Sequence, residues 1–331
     1  MNNKNIKTAL QLIIFLGIGI GLIYWKYNDM SVEEQSAMQQ SFQQVNWIFL
    51  IPIAIIGFLS HFFRALRWRL LLEPIGYKVG VTNATGAVLV GYMANSLVPR
   101  LGEVAKCTIL AKYESVPAEK AVGTIIAERA FDMLCLVIVM GLCLGLEYQR
   151  LLPLASKYGT QFFYDELGNF KSNLLVGLIL GIIIMIFGLT WGVKRLKQNK
   201  LSNLIKGLTD GLKSILIVRS KLLFLLYSVG IWLMYTLMVY VGYMTLPETQ
   251  SLNFASALAI IAFGSIGMIV TPGGIGTYPI IVAQVLTLYG INEGIGVAFG
   301  WICWGAQTVI VLLLGIISLV VLPILNKKRS V

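Results

Sequence analysis

Apolar residues run in long stretches along this chain, and polar residues gather between the stretches instead of alternating with them. About 20 consecutive apolar residues make a helix long enough to cross a hydrocarbon core of roughly 30 Å. The pattern predicts six full spans, over 7–25, 47–72, 115–146, 173–193, 221–246 and 294–323. Two further apolar runs are too short and are interrupted. Residues 84–98 rise only about 22 Å at about 1.5 Å per residue; Thr82 or Asn83 is the expected cap, Pro99 and Gly102 break the run, and 103–112 continue as a second short helix. Asn253 opens the other run, which reaches 270, breaks at Pro272–Gly276 and returns over 278–290. The predicted fold class is an all-α polytopic membrane protein with six full spans plus two re-entrant broken-helix hairpins.

These elements recur. Two spans, a hairpin and a third span appear twice in the same order, at an offset of roughly 168 to 175 residues, and the odd number of spans reverses the direction of the second set. The expected arrangement is one domain over 1–331, an inverted-topology repeat with halves at about 7–147 and 173–323 joined by an outer loop. Residues 26–46 are polar and read as another outer loop. Leu201, Leu204, Ile205, Leu208, Leu212, Ile215 and Leu216 keep helical spacing, predicting an amphipathic helix over about 198–218 on the cytoplasmic interface.

Composition agrees with the pattern. The chain is 57% hydrophobic and 12% charged, with a mean hydropathy of +0.80, against the roughly 25% charged residues of a soluble domain. A formal charge of +11 could suggest nucleic acid, but no soluble fold is present to carry a basic face. Basic residues other than Lys26, Arg150, Lys157, Lys171 and the intramembrane Arg129 fall on one side, so both termini are expected on the cytoplasmic side of the membrane. Cys107, Cys135, Cys143 and Cys303 form no CxxC pair and predict neither disulfide nor zinc site. No metal or cofactor is expected, and the lone His61 leaves little material for histidine chemistry. Gly17, Gly19 and Gly21 partly mimic a nucleotide-binding loop, but without a surrounding βαβ unit helix packing explains them better.

The candidate chemistry lies at the breaks and at charges within the spans. A break frees backbone N–H and C=O groups that hydrocarbon cannot satisfy. The helix starting near Gly102 presents a positive N-terminus, and Arg100 beside it favours an anionic group such as phosphate. Glu103, Glu128 and Asp132 would suit a cation, an amino headgroup or a coupling proton. Glu128 and Asp132 share a helix face, and Arg129 can pair with Asp132 three residues on. Each such charge costs about 2.5–3.5 kcal/mol at a bilayer centre, so the three are expected to face protein or water. Arg64, Arg67, Trp68 and Arg69 end the second span, either as an interfacial anchor or as a basic mouth for anionic lipid.

Asn95-x-x-x-Pro99-x-x-Gly102-Glu103, then Glu128-Arg129-x-x-Asp132, then Pro272-Gly273-Gly274-x-Gly276 together resemble the flippase-like membrane domain family, also called the lysylphosphatidylglycerol synthase transmembrane region. Arg64-x-x-Arg67-Trp68-Arg69 is similar too. The resemblance covers roughly residues 10–322 and implies a membrane protein that moves polar lipids between leaflets. It implies substrate contact at Arg64, Arg67, Asn95, Pro99, Arg100, Gly102, Glu103, Pro272, Gly273, Gly274, Gly276 and Tyr278, and a polar relay of Glu128, Arg129 and Asp132. Synthase relatives add a soluble aminoacyl-transferase domain; this chain stops at Val331, so lipid aminoacylation is not expected. Many relatives have an acidic residue after the second glycine motif where Thr277, Tyr278 and Pro279 stand here, which implies a different headgroup. The leading expectation is a translocase of a membrane phospholipid or lipid-linked substrate, not an enzyme, with no nucleic acid bound. Two alternatives stand beside it: an enzyme using Glu103 and Glu128 on a headgroup, and a scaffold for a separate lipid synthase. A homodimer is the other protein partner left open.

Overall fold

A computed structural model describes residues 17–98, 101–150 and 217–327, and these form helices joined by short turns. Helix α1 covers 17–29. It is followed by α2 (Val32–Gln43), α3 (Leu50–Leu72), α4 (Val81–Leu97), α5 (Leu101–Glu114) and α6 (Ala118–Leu146). After the undescribed stretch come α7 (Lys221–Gly242), α8 (Phe254–Val270), α9 (Thr277–Thr287) and α10 (Glu293–Asn326). The expected fourth span and the amphipathic helix fall outside the described residues.

Among the described residues, four helical stretches are long and apolar enough to cross a bilayer: Trp47–Ile75, Ala118–Leu146, Lys221–Thr245 and Glu293–Asn326. Their outer faces carry Val137, Leu222 and Ile324 at 63%, 71% and 66% exposure. In water such surface would cost about 25 cal/mol per Å²; in a bilayer it faces lipid at no such cost. The chain is therefore an α-helical membrane protein.

Helices α4 and α8 are both 17 residues long, about 25 Å at about 1.5 Å per residue, and each folds back into a shorter partner. In the first hairpin Gly80 and Asn83 meet Glu114, while Gly91 and Asn95 meet Gly102, so the arms run antiparallel. Further packing crosses between the two parts of the chain: α10 lies against α4, α6 against α8, and α3 against α7. One apolar core gathers Trp68, Leu71, Val88, Leu110 and Leu322 around the first hairpin, and another gathers Tyr243, Ile260, Val282, Leu286 and Phe299 around the second.

Three local expectations are corrected. The polar stretch 26–46 contains a helix, α2, because Ser31 and Glu34 form a reciprocal capping box: Glu34 N–H donates to Ser31 Oγ, and Ser31 N–H donates to Glu34 Oε2. Helix α4 starts at Val81, three residues earlier than expected, and has no side-chain cap. Asn83 instead lies buried within α4, donating to Glu114 Oε1 at 2.6 Å and exchanging amide hydrogen bonds with Asn326. Asn253 does cap α8, its Oδ1 accepting from Ser256 N–H at 2.9 Å.

Candidate functional site

The second break is built from glycine. Gly273, Gly274 and Gly276 have φ of 69°, 72° and 77°, a left-handed region that costs a residue with a Cβ roughly 1–2 kcal/mol. A Cβ on Gly276 would also meet the Gly19 carbonyl at 3.0 Å, because α1 crosses behind the break at Gly19. The backbone groups freed here are satisfied from within. Thr277 Oγ1 donates to the Gly267 carbonyl at 2.7 Å, Thr271 and Thr277 share a 2.6 Å hydroxyl hydrogen bond, and Trp304 Nε1 donates to the Gly273 carbonyl at 2.7 Å. Thr277, where relatives were expected to carry an acid, thus closes the turn.

Close approach shapes the first break. The Gly102 N–H donates to Asn95 Oδ1 at 2.7 Å, and a Cβ on Gly102 would collide with the Gly91 carbonyl and sit 2.5 Å from Asn95 Cγ. One of the N-terminal donors expected to meet an anion is therefore already occupied. Pro99 and Arg100 lie outside the described residues.

Between the hairpins sits a buried ion network. Arg64 Nη1 donates to Asp132 Oδ2 at 2.5 Å and to Glu128 Oε1 at 3.0 Å, and its Nη2 donates to the Tyr235 hydroxyl at 3.2 Å. Arg67 Nη2 donates to Asp132 Oδ1 at 2.6 Å, and Nη1 donates to Ser228 Oγ at 3.2 Å. Lys106 Nζ stands 3.5 Å from Glu128 Oε2 and over the rings of Trp68 and Tyr92. Glu128 and Arg67 are fully buried. Charges this deep persist only when paired and hydrogen-bonded, and here α3, α5, α6 and α7 supply the partners.

Two expectations change in consequence. Arg64 and Arg67 do not form an exposed basic mouth; they are buried and held by carboxylates from α6. Arg129 does not pair with Asp132 along its own helix but with Glu103 across to α5, at 3.5 Å. The reason is that Arg64 and Arg67 approach Asp132 from α3, leaving Arg129 on the side that faces the first hairpin.

Both hairpins and one edge of this network border a single cavity of about 470 Å³. Asn95 and Ser96 line it from the first hairpin and Gly273 and Tyr278 from the second, while α4 packs against the Pro272–Gly274 turn. Arg64, Arg129, Asp132 and Tyr235 line it with polar groups, and Met133, Leu136, Met238, Ile261 and Ile269 with apolar ones. Among the residues expected at the site, Arg67, Glu128, Gly102 and Glu103 are not part of this lining. Gly274 and Gly276 shape the break from behind. Lys106, Tyr235, Thr271 and Trp304 were not anticipated, nor was the hydrogen-bonding role of Thr277. Lys106 had a readable signal, a lone cation inside the apolar arm 101–110; Tyr235 and Trp304 are ordinary span residues, and Thr271 and Thr277 flank the second break, with roles that appear only on packing. No group of three or more His, Cys, Asp or Glu side chains suited to a metal occurs among the described residues, and all four cysteines are free.

Long apolar helices around a cavity lined by both polar and apolar side chains, with two short-armed hairpins beside it, define a multi-pass α-helical membrane protein. Residues 10–315 match the family model for the lysylphosphatidylglycerol synthase transmembrane region, and the chain belongs to that family. It is 28% identical to a UPF0104 membrane protein of Methanocaldococcus jannaschii over 203 residues, 60% of this chain and 80% of that protein. A UPF0104 membrane protein of Methanothermobacter thermautotrophicus is 22% identical over 284 residues, 79% of this chain and 81% of its own length. No solved structure matches the chain.

Proposed function

We propose that this protein is a translocase, not an enzyme, that moves a polar lipid or lipid-linked headgroup between the leaflets of a prokaryotic plasma membrane. The observation that carries this is the cavity shared by both hairpins, lined by charged and polar side chains together with apolar ones. A headgroup needs the polar groups; its acyl chains need the apolar ones and the lipid beyond. A synthase of a phospholipid gives the family its name, which supports a lipid as the substrate.

The hairpins are re-entrant in this reading, and six full spans surround them. The near-equal lengths of α3 and α7 and of α4 and α8 support an inverted repeat, as does the crosswise packing of α10 on α4 and α6 on α8. Matched interruptions of two inverted halves are where transporters place their substrate. Charge asymmetry supports both termini lying in the cytoplasm. The enzyme alternative is disfavoured by Glu128, which Arg64, Arg67 and Lys106 hold too tightly for acid–base work.

The test is a vesicle assay. Purified protein is reconstituted with fluorescent phospholipid, and the fraction accessible to an external quencher is followed with time. The expected result is faster exchange than in empty vesicles, lost when Ser96→Trp or Ser265→Trp fills the cavity from either hairpin. Exchange no faster than in empty vesicles, or unchanged by both substitutions, overturns the reading.

A further inference from the structure

We propose that this cavity selects lipids whose headgroup bears net negative charge on a phosphate and discriminates against those in which an ammonium neutralises it. The proposal rests on the translocase reading only for the substrate being a lipid. It follows from a charge sum among the described residues, with His61 taken as uncharged. The charged residues lining the cavity are Arg64, Arg129 and Asp132. The ion pairs that hold them bring in Arg67 and Lys106 with Glu128, and Glu103 beside Arg129. Arg64, Arg67, Lys106 and Arg129 thus meet Glu103, Glu128 and Asp132, one cation in excess.

An uncompensated cation out of water is unfavourable, and an anion delivered to the cavity removes the imbalance. Two guanidiniums line the cavity, and one donor of Arg64, Nε, is buried without a hydrogen-bond partner. Arg129 is 43% exposed at its side chain and reaches Glu103 only at 3.5 Å, so its guanidinium can turn to a phosphate oxygen. Guanidiniums bind the phosphate of either kind of headgroup, but the ammonium of a zwitterion cancels the charge that would offset the excess cation. That ammonium would find Asp132 as the one carboxylate lining the cavity, with both its oxygens already taken by Arg64 and Arg67.

The experiment is displacement of fluorescent phosphatidylglycerol from purified protein in uncharged detergent. Competitors are phosphatidylglycerol, phosphatidic acid and phosphatidylcholine of one chain length, and the soluble sn-glycerol 3-phosphate. At least ten-fold tighter binding of the two anionic lipids than of phosphatidylcholine is expected, with glycerol 3-phosphate ineffective. Lys106→Met removes the excess cation and should cut the preference below three-fold; Glu103→Gln frees Arg129 and should raise it. Equal or tighter binding of phosphatidylcholine overturns the proposal, as does equal displacement by glycerol 3-phosphate, which would make the ligand a free anion. Selective binding without lipid movement in vesicles would sink the translocase reading and leave this one standing. Equal movement and equal binding of all headgroups would do the reverse.

Discussion

Replacing Glu128 by glutamine keeps the shape of a fully buried side chain and deletes one charge from the network. Arg64, Arg67 and Lys106 then face Asp132 alone, so two buried cations lack a counter-charge where one did before. Removing one partner of a buried pair costs about 3–5 kcal/mol. Replacing Lys106 by methionine acts in the opposite sense: two cations and two carboxylates remain, a flexible apolar chain fills the space, and the main loss is the contact with Trp68 and Tyr92. A volume-conserving swap and an exposed-to-buried cation–π contact together amount to no more than about 2 kcal/mol. Glu128→Gln should therefore be the more damaging substitution, and adding Lys106→Met to it should restore part of the loss, a coupling of about 1–3 kcal/mol. Heating each variant in detergent and measuring the fraction that stays monodisperse on size-exclusion chromatography gives the order. A larger loss for Lys106→Met than for Glu128→Gln, or no rescue in the double variant, would refute the charge count.

Gly102→Ala drives a methyl into the Gly91 carbonyl and Asn95 amide; expected is a loss of at least about 1–3 kcal/mol, read as poor recovery of monodisperse protein, whereas Gly141→Ala, with nothing within 4 Å, should match the parent. Trp304→Phe removes the donor to the Gly273 carbonyl and should cost about 1 kcal/mol, with faster hydrogen exchange confined to the second break. Ser31→Ala deletes half of the α2 capping box and should cost about 1 kcal/mol, seen as lower exchange protection over Val32–Gln43 with lipid binding unchanged.

Much of the architecture was readable because a bilayer imposes length. Helices α3, α6, α7 and α10 fall within a few residues of the apolar runs that predict them, since ending a helix early in hydrocarbon would strand backbone groups. The breaks were legible for a related reason: proline and three glycines within five residues admit no continuous helix. Helix α2 was missed although Ser31-x-x-Glu34 announces its start, because its exposed sequence carries little apolar periodicity to weigh against loop.

Pairing was not legible. Arg129 and Asp132 stand at a spacing that favours an ion pair, yet each binds a residue on a different helix, because local spacing contributes only a few tenths of a kcal/mol and buried alternatives far more. Arg64 and Arg67 look like a surface anchor in a list of residues and become the counter-ions of α6 only when α3 and α6 are packed together. Hydrophobic length and helix-breaking residues are properties of the chain itself, so the sequence determined where helices run and where they stop. Which charges neutralise one another, which donor closes each break, and that both hairpins border one cavity depend on distances between segments remote along the chain, and only the packed structure decides those.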